Sequence, residues 1–557
     1  MIIKKIILKS WPLVILLVST LLITWPIFLP GYFSHHDDLQ VMRIFEMRKC
    51  LEDFQIPCRW VPDMGYGNGY PLFNYYAVLP YYIGALFSFL LGFLTSAKLL
   101  FAIPIFLGAV SMFFLSRELF GIYPGIIASI LFTYAPYRAL DLYVRGDISE
   151  SFAISTIPFV FYFALKLIKS GKVRYLVGLS LSLAVFLTSH NIMTILFAPV
   201  FLLVVLYWLM IEKRYFLRLI IGLLIGIGLS AFFILPAYFE KNLVQIDNLI
   251  KFDLDFRAHF VALDQLLFSR FWGYGASVPG PHDTISFQIG WPYWWIVLAS
   301  FVIFLVSKKS KLKFSNLLPI LLLGVFLISV FMTHIKSVSI WEKIDILKFT
   351  QFPWRFLALS TFSSSLLGAY FVKNLKLINE KYITVFLVIL TIFLNWNYFK
   401  PKEFYPKMTD QEKLSGKLLD DQKKAVILDY LPKTAVEPRE PAPDKPILMS
   451  GNAAIGNFMV KSNSWQFQTN VTNNASIEVP VLDFPNWVVT LNGRPVNFSN
   501  KNYLGRISIN FQESGQYFVL GRFTDTPLRQ YSNTVSLLAL LCLLFVGFYA
   551  KINKKFR

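Results

Sequence analysis

Apolar residues run along this chain in long unbroken blocks separated by short polar and basic stretches. Blocks near 11–30, 97–116, 121–138, 151–167, 175–190, 191–211, 217–236, 290–306, 314–333, 353–373, 381–398 and 531–550 have the length a membrane-crossing helix needs. Basic runs lie between them at Lys166/Lys169/Lys172/Arg174, Lys213/Arg214/Arg218, Lys308/Lys309/Lys311/Lys313, Lys373/Lys376/Lys381 and Lys551/Lys554/Lys555/Arg557. Such runs mark the inner side of a membrane. The pattern predicts about 12 crossings with both termini inside, and external segments at 31–96, 139–150, 237–289 and 334–352. A further apolar stretch, Tyr75 to Phe93, breaks this parity, so it reads as a juxtamembrane or re-entrant helix.

Between 399 and 530 the period changes from helical to two, as in Trp465-Gln466-Phe467-Gln468 and Trp487-Val488-Val489-Thr490-Leu491. Asn492-Gly493 supplies a hairpin turn there. The expected organisation is a helical membrane domain over 1–398, an extracytoplasmic β-sandwich over 399–530 entered by the proline-rich linker Ala435 to Pro446, and a last span with a basic tail over 531–557.

Composition agrees: 55% hydrophobic and 17% aromatic residues and a mean hydropathy of +0.55 exclude an ordinary soluble domain. The net charge of +20 sits mainly in the inter-span runs, so it reads as a topology signal facing an anionic leaflet, not as a nucleic-acid surface. The block from Trp11 to Pro30 reads as a retained span, because no small-residue cleavage site follows it. Cys50 and Cys58 fall on the oxidising side, where a disulfide and two free thiols are both open; Cys542, in the last span, reads as inert packing.

Chemistry concentrates where spans open outward. The first external segment carries His35-His36-Asp37-Asp38, followed by apolar residues at helical spacing, Val41, Ile44, Met47, Leu51 and Phe54. This predicts an amphipathic helix in the membrane interface, with one acid, Asp38 above all, as a possible N-cap. Two adjacent acids exceed what a cap needs, which favours a catalytic Asp37. A divalent metal (Mg or Mn) on these residues is an alternative, although neighbours on one strand seldom all reach one ion. Gly65-Tyr66-Gly67-Asn68-Gly69-Tyr70-Pro71 is turn-rich and lacks the surroundings of a phosphate loop. The second external segment holds Arg138, Asp141, Arg145, Asp147 and Glu150; His190 joins two spans, and Arg355 opens another. Charges at span mouths are costly and often functional, with snorkelling or capping as the ordinary alternatives. Arg145, Arg355, Arg138 and His190 are candidate phosphate contacts, and Asp147 and Glu150 candidate acids facing the first segment. The long segment to Gly290 has the length of a lid, with His259, His282 and Asp283 as candidate acceptor contacts.

The motifs Ser34-His35-His36-Asp37-Asp38, Pro57-Cys58-Arg59-Trp60, Gly65 through Phe73, Pro136-Tyr137-Arg138, Tyr143-Val144-Arg145-Gly146-Asp147 with Glu150, Ser189-His190-Asn191 and Phe352-Pro353-Trp354-Arg355 together resemble the bacterial and archaeal membrane proteins labelled "6-pyruvoyl-tetrahydropterin synthase-related". No residue pattern here points to pterin chemistry. The architecture is similar to the GT-C glycosyltransferases, among them oligosaccharyltransferase catalytic subunits, protein O-mannosyltransferases and aminoarabinose transferases. The resemblance implies a polyprenyl-phosphate-sugar donor, an extracytoplasmic glycan, lipid or protein acceptor, a first-segment Asp (here Asp37) as base, and a groove between the first two external segments. The chain departs from the pattern at Val41, where a His is expected, and at Asp147, where a small residue is common. It also implies a plasma-membrane location, with the site and the β domain extracytoplasmic. A transporter or flippase for lipid-linked sugars would also account for the spans, but would call for ionisable residues at mid-membrane and related halves. A non-catalytic assembly protein of the cell envelope leaves Asp37 and Asp38 without a reason.

Overall fold

The computed structural model describes residues 2–307 and 317–552, so Lys308, Lys309, Lys311, Lys313, Lys554, Lys555 and Arg557 lie outside the described residues. Each apolar block read as a crossing is helical. Among the described residues eight helices are long and apolar enough to cross: Ser10–Phe28, Phe93–Phe120, Ile148–Ser170, Asn191–Ile211, Phe216–Phe239, Pro353–Asn374, Glu380–Tyr398 and Pro527–Ile552. Leu318–Thr333 and Ile335–Lys343 form a pair bent by 94°, and would make a ninth span if counted as one. The blocks near 121–138, 175–190 and 290–306 yield the shorter apolar helices Ile122–Thr133, Val173–Ser189 and Trp291–Val306, so among the described residues eight or nine helices, not 12, have full spanning length. One cause is visible in the backbone. Pro136 forces Ala135 into an extended conformation (ψ 138°), which stops the helix ending at Thr133 and restarts the chain as a turn, Pro136–Ala139, and a π-helical segment, Leu140–Arg145.

The stretch that broke the parity folds as Leu79–Leu91, 13 residues long. At 1.5 Å per residue it covers about 20 Å, short of a 30 Å hydrocarbon core. Gly92 (φ 77°) then turns the chain into Phe93–Phe120. The carboxylate of Asp410, more than 300 residues away, accepts from the first amides of that helix, Phe93 N (2.6 Å) and Leu94 N (2.8 Å).

The helix in the first external segment, Gln40–Glu52, is covered by protein on more than its apolar face. Its residues Gln40, Val41, Met42, Arg43, Ile44, Glu46, Met47 and Cys50 are all buried. Two elements enclose it: Leu79–Leu91 on one side, and on the other the segment after the last helix of the membrane domain. Its N-terminal cap is Leu39 without a side-chain hydrogen bond, so neither Asp37 nor Asp38 caps it.

The region after 398 begins before its sheet does. Strand β1 (Tyr32–Phe33) pairs antiparallel with β2 (Phe404–Tyr405), and the helices Asp410–Lys413 and Gly416–Lys424 follow. The antiparallel sheet proper comprises β3 (Ile447–Val460), β4 (Ser464–Leu482), β5 (Trp487–Leu491), β6 (Arg494–Val496), β7 (Arg506–Phe511) and β8 (Gly515–Phe523). It is one continuous hydrogen-bonded sheet in the order β3-β4-β8-β5-β6, with β7 on the second half of the 19-residue β4. Asn492 (φ 49°) and Gly493 (φ 83°) make the tight β5–β6 turn with both central residues left-handed. Trp60 of the first segment enters this core, edge-on to Trp487 at 5.6 Å and beside Phe523 and Phe484. The β domain and the first external segment therefore share one core.

Candidate functional site

The first and second external segments meet directly at one place. They are hydrogen-bonded edge to edge, His36 N to Val144 O and Asp37 N to Arg145 O, both at 2.9 Å. Gln40 Nε2 adds a bond of 2.8 Å to Gly146 O. Gly146 makes this approach possible. Its φ is 70°, and a Cβ there would lie 2.4 Å from His35 Nδ1.

Beyond this seam, three elements converge at the mouths of the helices. The π-helical segment brings Asp141 and Arg145; the start of Ile148–Ser170 brings Asp147 and Glu150; the 3₁₀ turn Pro353–Phe356 brings Arg355. Asp147 is the helix N-cap, accepting from Glu150 N at 2.9 Å. Arg145 pairs with Asp141 (2.8 Å), Glu150 (2.9 Å) and Asp147 (3.0 Å), and its guanidinium lies 4.5 Å over the Trp354 ring. Arg355 pairs with Glu150 (3.1 Å), approaches Asp147 (3.9 Å), and donates to Thr350 O and Gln351 Oε1. Tyr137 donates to Glu150. All five charged side chains are buried, and a buried network of this kind holds only if its members remain paired. The surrounding helix is central: the apolar window of Pro353–Asn374 is 83% buried, against 11% for the last helix, Pro527–Ile552.

Protonation follows from these contacts. Burial alone would raise the Asp147 carboxyl, but Arg145, then His190 and Arg355, outweigh it and hold it at about 2. Burial lowers His190 to about 4 against the pull of Asp147 and Glu150, so the ring is neutral. Its Nδ1 accepts from Met193 N at 3.1 Å, which places the proton on Nε2, 3.9 Å from Asp147. Burial, then the Glu150 charge, raises Asp141, whose Oδ2 has no hydrogen-bond partner. Arg145 and Arg355 are thus shared among the carboxyl groups of Asp141, Asp147 and Glu150.

A metal fits this set poorly. Asp147, Glu150 and His190 offer ligand atoms within 4.8 Å of one another. However, Arg145 and Arg355 already lie at 2.9–3.1 Å from the same carboxylates, and a dication would have to displace both guanidiniums. Asp37 and Asp38 are not part of the cluster.

Asp37 differs from the second-segment acids. Its side chain is 27% exposed, against 10% for Asp147 and 0% for Glu150. Both of its hydrogen bonds fall on Oδ2, from Arg43 Nη1 (2.6 Å) and Gln40 Nε2 (2.9 Å), leaving Oδ1 with none among the described residues. Arg43 is stacked 4.3 Å over Tyr76. Asp38 turns away and pairs with Lys413 at 2.5 Å. The buried ring of His35 binds Tyr32 Oη at 3.2 Å, and His36 reaches Tyr274 O of the long segment at 3.0 Å.

The other expected residues fall around this centre. Arg138 is buried below it on Ser155 Oγ (2.6 Å) and the Ser151 carbonyl, and pairs with none of the acids. His259 binds Ser277 Oγ and Asp253 O, and its ring meets Phe352 at 4.7 Å, next to Arg355. His282 is exposed on the long segment, and Asp283, buried beside it, is lifted to about 6 by burial. Cys50 and Cys58 form a disulfide behind the Arg43 helix. Arg43, Tyr76 and Lys413 were not anticipated. Lys413, 375 residues from Asp38, carries no local signal.

Fold and site thus define a polytopic helical membrane protein, with a charged centre at the helix mouths and an appended β domain packed on the first external segment. The chain belongs to the family described as the 6-pyruvoyl-tetrahydropterin synthase related domain, a membrane protein family whose model matches residues 73–401. A curated Lactococcus lactis subsp. cremoris protein, described as uncharacterized, is 26% identical over 237 residues, which are 40% of this chain and 38% of that protein. Among solved structures the chain is similar to the mycobacterial arabinofuranosyltransferase AftD (TM-score 0.47, 15% identity, 72% of this chain and 28% of that one). It is also similar to the Archaeoglobus fulgidus oligosaccharyltransferase (0.41, 11%, 76% and 64%) and to Cupriavidus metallidurans ArnT bound to undecaprenyl phosphate (0.40, 12%, 66% and 61%). The chain spans well under half of the curated relative and of AftD.

Proposed function

We propose that the protein is a membrane glycosyltransferase that moves a sugar from a polyprenyl-phosphate donor to an extracytoplasmic acceptor. One observation carries the reading: the half-open carboxylate of Asp37 is hydrogen-bonded through its backbone to the segment bearing Arg145, so a fixed base and a guanidinium centre share one seam. The reaction is a single displacement at the anomeric carbon. Asp37 takes the proton of the acceptor hydroxyl as its oxygen forms the new C–O bond; the bond to the lipid phosphate breaks, and its electron pair leaves with the phosphate. Arg145, Arg355 and the Nε2–H of His190 receive that phosphate, their positions held by Asp147 and Glu150. Asp147 and Glu150 are positioning residues in this scheme, since each is committed to guanidinium contacts. A lipid-borne donor suits a centre at the helix mouths. The inter-span basic runs support cytoplasmic termini in the plasma membrane, with the centre and the β domain outside.

The test is reconstitution with a panel of radiolabelled undecaprenyl-phosphate sugars, following label leaving the lipid. Loss of release in Asp37→Asn, with the variant still folded, is the expected result. Equal release by Asp37→Asn and wild type, or none from any donor in wild type, overturns it.

A further inference from the structure

A strap from the C-terminal region is tied both to the first external segment and to the long segment that neighbours Arg355. Residues Val426 to Leu431 precede the linker into the sheet and are anchored by the buried Ile427 and Leu431. The Tyr70 hydroxyl donates to Val426 O (2.9 Å) and accepts from Tyr430 N (2.8 Å), fixing the strap to the first segment. On the other side Gln245 N donates to Leu431 O (2.9 Å) and Asn248 Nδ2 to Leu428 O (3.2 Å), fixing it to the long segment. That same turn of the long segment accepts from Gln351, whose Oε1 binds Arg355. The Tyr430 ring stacks on Tyr75 at 5.5 Å.

Asp429 stands at the middle of this strap. Its backbone N–H closes a turn on Val426 O, but its carboxylate makes no hydrogen bond or ion pair among the described residues. The charges of Arg43 and Asp37 reach it, and those of Arg43 and Arg355 reach Tyr430, so the strap bridges the two halves of the centre. Burial lifts the carboxyl to about 7. Arg43, on the opposite side, is buried with an Nε that has no partner. A carboxyl without a hydrogen-bond partner among the described residues, on a strap whose Tyr430 ring stacks on Tyr75, offers oxygens that accept from hydroxyl donors. The chemistry on this side is that of a sugar, and it complements the arginine side.

We propose that Asp429 is an acceptor-binding carboxylate, receiving the hydroxyl groups of an acceptor sugar between the strap and Asp37. This rests on the transferase reading for the identity of the acceptor, not for the binding itself. The test is saturation-transfer NMR on the full-length protein in nanodiscs with methyl α-D-mannopyranoside, methyl β-D-glucopyranoside and methyl β-D-galactopyranoside, alongside binding of undecaprenyl phosphate. At least one glycoside is expected to bind wild type, to bind Asp429→Asn at least tenfold more weakly, and to recover in part in Asp429→Glu, while undecaprenyl phosphate binds all three alike. No glycoside bound by wild type, equal binding by Asp429→Asn, or joint loss of glycoside and undecaprenyl phosphate in Asp429→Asn each overturns it. Asp429-dependent glycoside binding without label release from any donor would overturn the transferase reading and leave this one standing.

Discussion

Replacing Asp429 by Asn keeps the shape of the side chain, removes a charge, and breaks no hydrogen bond that the carboxylate makes, which turns the strap into a measurable ledger of desolvation. The carboxyl moves from its ordinary 3.8 to about 7 in the fold, chiefly through burial, with Arg43 pulling down and Asp37 pushing up; Tyr70 and Tyr430 are the other titratable groups packed against it. At 1.36 kcal/mol per pH unit this corresponds to about 4 kcal/mol, and partial exposure of the strap reduces it to roughly 2 kcal/mol. The folded pKa is raised, so the fold holds the proton more tightly than the unfolded chain. The stabilisation from this group is complete below 3.8, declines between 3.8 and about 7, and is gone above. Asn has no such term. The stability of Asp429→Asn relative to wild type is therefore expected to rise between pH 5 and pH 8. Thermal unfolding in one detergent at both pH values, followed by tryptophan fluorescence, reads that difference directly. A variant-minus-wild-type difference that is flat or falls with pH would refute the burial argument.

Three further outcomes follow from other parts of the centre. Arg355→Ala leaves Glu150 with one guanidinium in a buried site and is expected to cost about 3–5 kcal/mol, with Arg355→Lys intermediate because it keeps the charge and loses the fork; both are read as a drop in unfolding temperature. Gly146→Ala places a Cβ against the His35 ring at a positive φ and is expected to cost about 1–3 kcal/mol and to slow label release, so unchanged release and stability would show that the seam tolerates opening. Removing the Cys50–Cys58 bond, by reduction or as the double Ser variant, is expected to lower stability by about 2 kcal/mol, measured by unfolding with and without reductant.

Much of the fold was legible because its signals are local. Blocks of apolar residues gave helices in each case, the Asn492-Gly493 dipeptide gave its turn, and the parity of the basic runs singled out Leu79–Leu91 as a helix too short to cross. What the sequence hid is long-range. Asp410 caps a helix more than 300 residues earlier, Trp60 packs in the core of the sheet, and Gln40–Glu52 looks interfacial only until residues from beyond 398 cover its second face. The β region was given one boundary at 399, but its first strand pairs with Tyr32–Phe33, and the sheet begins at Ile447. Hydropathy is blind to such pairings because it averages over neighbours in sequence.

The site was legible in its inventory and obscure in its roles. Asp37, Arg145, Asp147, Glu150, His190 and Arg355 were all named as charges at span mouths, and all but Asp37 meet in one network. Charge at a membrane surface identifies groups that must be paired or used, but it does not say which. Pairing decides: Asp147 and Glu150 are taken up by guanidiniums, Asp38 by Lys413 and Arg138 by serines, whereas Asp37 keeps one oxygen open and Asp429 both. Asp429 went unnoticed because a carboxylate before a proline-rich linker resembles any solvated loop residue. Asp37 and Asp429 are both carried by segments that also pack in the core of the β domain. On the transferase reading proposed above, displacing the strap without altering any membrane helix is expected to change acceptor use before donor binding.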